Sequence, residues 1–271
     1  MRSQTVAGPA GALHIVEYPA AGAEASREPL PVVLVHGMVG DAGFWEAPLS
    51  HAAGRRRAVA MDLRGHGASE PPPDADYAPS ACAADVLAVL DALGLERVAL
   101  VGHSFGTLVA IAAAAAHPDR VARLVLVDPP GDFTQLPAEV REQHFSPLLA
   151  ALATDGWRTA ARAGFDGALA GSAPATRDVV LARLAATPRD RLLGMYRTMI
   201  AFPAVDTLDR YLAVPGSRAH AIVAPSNAWP FSLHVLRPAL KAVVLPETGH
   251  WLMMDAPAAF AAQLEAWLTA D

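Results

Sequence analysis

The chain has 271 residues, a formal net charge of −6 and a hydrophobic fraction of 53%. That length allows one large domain or two small ones. The acidic balance, with Arg55, Arg56 and Arg57 as the one tight basic run, excludes an extended nucleic-acid footprint, and no run of about 18 uncharged apolar residues supports a membrane span.

A single cysteine, Cys82, excludes an intrachain disulfide and reads as a small buried side chain on a helix. The first eleven residues lack the basic-then-apolar order of an export signal, so a cytoplasmic protein is expected. Taken in chain order, Val6 and residues 13–18 predict an antiparallel hairpin at a sheet edge. Short, nearly continuous apolar runs at 31–36, 58–63, 98–101, 124–127, 219–224 and 242–245 predict strands covered on both faces. Helical stretches separate them. Residues 80–93 set Ala84, Leu87, Val89, Leu90 and Leu93 largely on one side. Residues 104–116 are alanine-rich and stop at His117-Pro118, and 257–268 carry Phe260, Leu264, Trp267 and Leu268 at helical spacing. Strand–helix alternation predicts an α/β fold with a mostly parallel, doubly wound sheet.

Residues 131–212 break the alternation. Helices are predicted at 137–153, 156–165, 175–185 and 188–200, with glycine, proline and serine between them. This gives a core of residues 1–130 and 213–271 with a helical lid, 131–212, inserted between two strands. Some of the lid's Phe133, Phe145, Trp157, Phe165, Met195, Tyr196, Met199 and Phe202 would line an apolar pocket. Trp157, Met195 and Met199, with Phe44 and Trp251 from the core, are taken as substrate-binding residues.

Three segments carry chemistry. Gly102-His103-Ser104-Phe105-Gly106 has the pattern G-x-S-x-G, between a predicted strand and a predicted helix. That is the context of a nucleophile elbow: a turn tight enough to strain the serine backbone and project its hydroxyl above the sheet, with glycines where a Cβ would clash. A serine hydroxyl needs a base. His250, on the loop after the last predicted strand, falls at the same strand-end face. His36-Gly37-Met38-Val39-Gly40 follows the strand at 31–36, where its glycines let the backbone present an N–H; the N–H of Phe105 would be the second donor to an oxyanion. No H-E-x-x-H, Cys/His cluster or Gly-Lys-Ser/Thr ending is present, so neither a metal nor another cofactor is expected.

In this order and spacing, His36-Gly37-x-x-Gly40, residues 62–69 (DLRGHGAS), Gly102–Gly106 and Gly249-His250 make the chain resemble the α/β-hydrolase superfamily. The likeness is to its branch of lidded serine esterases, haloperoxidase-like enzymes and carbon–carbon hydrolases, and it spans nearly the whole chain. It implies an eight-stranded α/β-hydrolase fold with Ser104 as nucleophile, His250 as base and the Met38 and Phe105 amides as oxyanion hole. It gives residues 62–69 a structural role. The family's usual acid follows the strand after the lid, where this chain has Asn227 and no carboxylate between Arg210 and Glu247. Some relatives draw the acid from the preceding strand end, which is Asp128 here. Asp128 is therefore the first choice, with Asn227, Asp132, Asp206 and Asp209 as alternatives. The expected activity is hydrolysis of an ester, lactone or thioester of a small to medium apolar substrate. A carbon–carbon hydrolase, a lyase, a cofactor-free oxygenase, or a slow-turnover receptor favoured by Asn227, stand as alternatives. Small-molecule binding is expected, nucleic acid is not, and a homodimer is left open.

Overall fold

The computed structural model describes residues 1–20, 29–51 and 55–269. The chain opens with the hairpin β1 (Arg2–Gly8) and β2 (Gly11–Tyr18), followed by β3 (Val32–Val35), α1 (Glu46–His51), β4 (Ala58–Met61) and α2 (Pro79–Ala92). Next come β5 (Val98–His103), α3 (Phe105–Ala116) and β6 (Val121–Val127). Five helices follow: α4 (Ala138–Leu152), α5 (Trp157–Ala168), α6 (Pro174–Ala186), α7 (Arg189–Ala201) and α8 (Ala204–Leu212). The chain then returns through β7 (Ala219–Val223), α9 (Leu233–Leu236), β8 (Lys241–Val244), α10 (Leu252–Asp255) and α11 (Pro257–Thr269).

The strands form one eight-stranded sheet in the order β1-β2-β4-β3-β5-β6-β7-β8. β1, β2 and β4 pair antiparallel, and every later pairing is parallel. The expected eight-stranded, mostly parallel sheet with its edge hairpin is what the chain builds. Every residue of β3, β4 and β5 is buried, which explains their unbroken Val, Ala, Leu and Met runs. β8 departs from expectation. As the edge strand it is mostly exposed, with Val244 54% accessible. α2, α3 and α8 pack together on one face, and α1 against α11 on the other, where Trp45 meets Phe260.

Sequence distance from β3 runs outward through β4 on one side and β5 on the other. The loops after β3 and β5 therefore leave toward opposite faces and open a crevice at the strand ends, the position where such sheets bind ligands. α4 to α7 pack against one another through α4–α5, α5–α6 and α4–α7 contacts. α8, which the sequence pattern did not reveal, packs on α3. Its Tyr211 hydroxyl donates to the Val121 carbonyl at 3.1 Å, so α8 belongs to the sheet-flanking layer although it lies within residues 131–212. No helix among the described residues is long and apolar enough to cross a membrane.

Candidate active site

Ser104 lies between β5 and α3 with φ 51° and ψ −122°. A non-glycine residue there costs about 1–3 kcal/mol and persists only where its surroundings enforce it. The enforcement is steric and polar. A Cβ on Gly102 would sit 2.2 Å from the Gly106 carbonyl oxygen, and one on Gly106 would sit 2.4 Å from that of Val35. The Ser104 N–H donates to Val127 O at 2.9 Å, and Thr107 Oγ1 donates to Ser104 O at 2.6 Å. Five non-glycine residues among those described have positive φ. Four of them, Val39, Ser104, Asp128 and Glu247, stand on loops at this end of the sheet.

His250 Nδ1 donates to Asp128 Oδ2 at 2.5 Å, with the Asp128 side chain 5% accessible. This tautomer leaves Nε2 free to accept a proton. Asp128 Oδ1 also accepts from Ala224 N at 2.8 Å and from Asn227 Nδ2 at 3.0 Å. Asn227 in turn donates to Pro129 O at 3.0 Å and accepts from Ser232 Oγ at 2.7 Å. The carboxylate on the imidazole is thus that of Asp128, and Asn227 holds the carboxylate. Asp132 caps the turn at Phe133–Gln135 and accepts from Val205 N at 2.8 Å. Asp209 pairs with Arg237, and Asp206 is exposed. None of these three reaches His250.

The His250 loop is anchored twice. His103 Nε2 donates to His250 O at 2.9 Å, and burial, then the neighbouring His250, hold the His103 ring well below the ordinary histidine range, hence uncharged. Asp255 accepts from Gly249 N at 2.9 Å and from Ala173 N at 3.0 Å, joining this loop to the start of α6. His103 lies inside the G-x-S-x-G motif and holds local structure, whereas Asp255 carries no sequence signal for its role.

Gly37 N-terminal to Met38 lies against the serine: a Cβ there would fall 2.7 Å from Ser104 Cβ. His36 holds the loop, donating from Nδ1 to Gly37 O at 2.7 Å and accepting from Leu63 N at 3.0 Å. Arg64 pairs with Asp85 through two hydrogen bonds of 2.6 and 2.8 Å, and the His66 ring packs 5.1 Å from that of His36. Both are buried in structural contacts.

Met38, Ser104, His250, Trp251 and Met199 line one cavity of about 180 Å³, together with Phe165 and Tyr196. No hydrogen bond links the Ser104 hydroxyl to the His250 ring; such pairs are often long without substrate and tighten upon it. Three residues taken as substrate-binding lie elsewhere. Phe44 and Met195 are core residues, 2% and 1% accessible. Trp157 lines a separate hollow with Leu181 and Leu184, under the Arg158 guanidinium 4.4 Å above its ring. On α7 it is Tyr196 and Met199, one turn apart, that face the cavity, and this rotates Met195 inward. Among the described residues no cluster of His, Cys, Asp or Glu could hold a metal.

The sequence matches the family model described as alpha/beta hydrolase fold over residues 31–177, just over half of the chain. The chain belongs to the alpha/beta hydrolase fold family. It is 42% identical over 99 residues to N-formylmaleamate deformylase of Pseudomonas putida, a match covering 36% of this chain and 37% of that protein. It is 40% identical over 104 residues to 2-hydroxymuconate semialdehyde hydrolase of Pseudomonas sp. (strain CF600), covering 37% of each. These matches thus span little more than a third of each relative's length. A solved hydrolase of Pseudomonas aeruginosa superposes with a TM-score of 0.79 at 25% identity, covering 99% of both chains.

Proposed function

We propose that this family member is a serine hydrolase that cleaves an ester-like acyl bond of a small to medium apolar substrate through an acyl-enzyme. Ser104 attacks the carbonyl carbon while His250 Nε2 takes its proton. Asp128 keeps the imidazole in the required tautomer and stabilises the imidazolium. The Met38 and Phe105 N–H groups receive the oxyanion; among the described residues neither has a hydrogen-bond partner. His250 then protonates the leaving group and later activates water. α4 to α7 serve as the lid, with α8 on the sheet side. Buried Cys82, its thiol pushed up to about 12 by burial, is inert and compatible with a cytoplasmic setting.

The support is a strained Ser104 sharing one cavity with a His250 already bonded to a buried carboxylate. The test is steady-state hydrolysis of p-nitrophenyl acetate, butyrate and hexanoate. Wild type should turn over at least one. Ser104→Ala should lose roughly 10⁴-fold or more in kcat with its circular dichroism unchanged. Retained activity in that variant would refute the nucleophile.

A second reading is favoured by the names of the two partial relatives: the same residues would cleave a formyl amide or a carbon–carbon bond next to a carbonyl. A vinylogous diketone and an N-formyl amide, assayed beside the esters, decide by kcat/KM.

A further inference from the structure

The Ser104 cavity does not end at His250. A second hollow, of about 340 Å³, adjoins it and shares Pro130, Ala168 and His250 with it. Its lining includes an aromatic stack. Trp229 lies nearly parallel to Phe231, ring centroids 6.0 Å and planes 9° apart, and Phe231 packs on Phe133 at 5.4 Å. From α5 it receives only Gly167 and Ala168, which take up little space. Trp229 is 59% accessible, whereas Trp45 and Trp251 are almost fully buried. An indole left this open at the rim of a hollow offers a flat apolar face to whatever enters.

The two hollows differ in what they touch. The smaller meets Ser104, Met38 and His250; the larger meets His250 and Asp128 but neither Ser104 nor Met38. In acyl transfer these contacts are not interchangeable. The Ser104 Oγ–H proton passes to His250 Nε2 as the new C–O bond forms. When the tetrahedral intermediate collapses, the bond to the leaving oxygen breaks with its electron pair. That oxygen takes the same proton from Nε2, and a neutral alcohol departs. The acyl fragment stays on Ser104 until water, deprotonated by His250, releases it as the acid. The departing oxygen must therefore face His250, while the acyl carbon stays at Ser104.

On the hydrolase reading above, we propose that the larger hollow is the leaving-group site, that it takes an aryl-bearing alcohol stacked on Trp229 and Phe231, and that the smaller hollow holds a short acyl chain. About 180 Å³ is less than a drug-sized ligand needs, whereas 340 Å³ reaches the usual range of roughly 300–1,000 Å³.

A pair of isomeric esters tests this: 2-naphthylmethyl acetate, with the aryl group on the alcohol, and methyl 2-naphthylacetate, with it on the acid. Their leaving alcohols have closely similar acidity. The expected result is a kcat/KM at least roughly tenfold higher for the acetate. Trp229→Ala, at an exposed position, should cut kcat/KM for that ester roughly tenfold more than it cuts kcat/KM for ethyl acetate, whose alcohol has no ring to stack. Cleavage of both esters without preference, preference for methyl 2-naphthylacetate, or an equal loss on all esters in Trp229→Ala overturns the assignment alone. Failure of wild type to cleave any of them overturns the hydrolase reading and this assignment together.

Discussion

The two walls of the cleft are built differently. The strand-end wall consists of loops held by backbone: four non-glycine residues at positive φ, glycines with no room for a Cβ, and carboxylates accepting main-chain N–H groups at Asp128 and Asp255. The helical wall, from α5 and α7, contributes Gly164, Phe165, Ala168, Tyr196 and Met199 through side-chain packing. Its Tyr196 hydroxyl is raised to about 12 by burial and stays protonated. Each wall therefore carries a different property of the site. Backbone-held atoms fix the reacting geometry to fractions of an ångström, while packed side chains set the shape and can be exchanged at modest cost. Changes on the strand-end wall should therefore appear in kcat, and changes on the helical wall in KM and substrate preference.

The sharpest way to break this contrast is Asp128→Asn. It keeps the shape of the side chain but removes the charge and the tautomer preference, so kcat should fall roughly 10⁴-fold with little change in KM. A loss confined to KM would place Asp128 with the shape-determining residues instead.

Stability should follow the strand-end wall as well. His36, His66 and His103 are fully buried beneath it, and burial lowers all three from the ordinary 6.5. The unfolded chain takes up protons below that value and the folded chain does not. Stability is therefore fully present above pH 6.5 and declines as the pH falls below it, by up to about 1.4 kcal/mol per pH unit for each histidine. Urea melts at pH 7.5 and 5.5 should show a lower midpoint at 5.5. Equal midpoints would mean these rings protonate in place.

A smaller effect is expected one step further from the reacting atoms. Asn227→Ala removes one of three hydrogen bonds to Asp128, and kcat should drop roughly tenfold with KM unchanged. A kcat equal to wild type would make Asn227 a loop residue only.

The sequence was legible along the same division. The elbow, the Met38 loop and the His250 loop each require particular glycines next to particular strands, so they leave a local pattern. The acid was ambiguous because two neighbouring strand ends could reach one ring, and one-dimensional spacing does not show which carboxylate is turned inward. Asn227 read as a vacated acid position that favoured a receptor; its amide instead donates to Asp128, a contact between residues 99 positions apart. On the helices, Phe44, Trp157 and Met195 were chosen for their chemistry. What decides pocket lining, though, is the rotation of each helix on the core: adjacent positions point about 100° apart, so Tyr196 faces the cavity while Met195 is buried. Within residues 131–212 no helix was expected beyond residue 200, whereas Ala204–Leu212 forms α8. The exposure of β8 follows from its edge position, which its apolar run does not encode.

Activation of the Ser104 hydroxyl by His250 and Asp128 underlies the expected effects on kcat. It is tested most directly by treating the folded protein with a fluorophosphonate and locating the adduct by peptide mass spectrometry. One adduct is expected, on Ser104, formed quickly in wild type and far more slowly in Asp128→Asn. An adduct on another residue, or a folded wild-type protein that stays unlabelled, would contradict it.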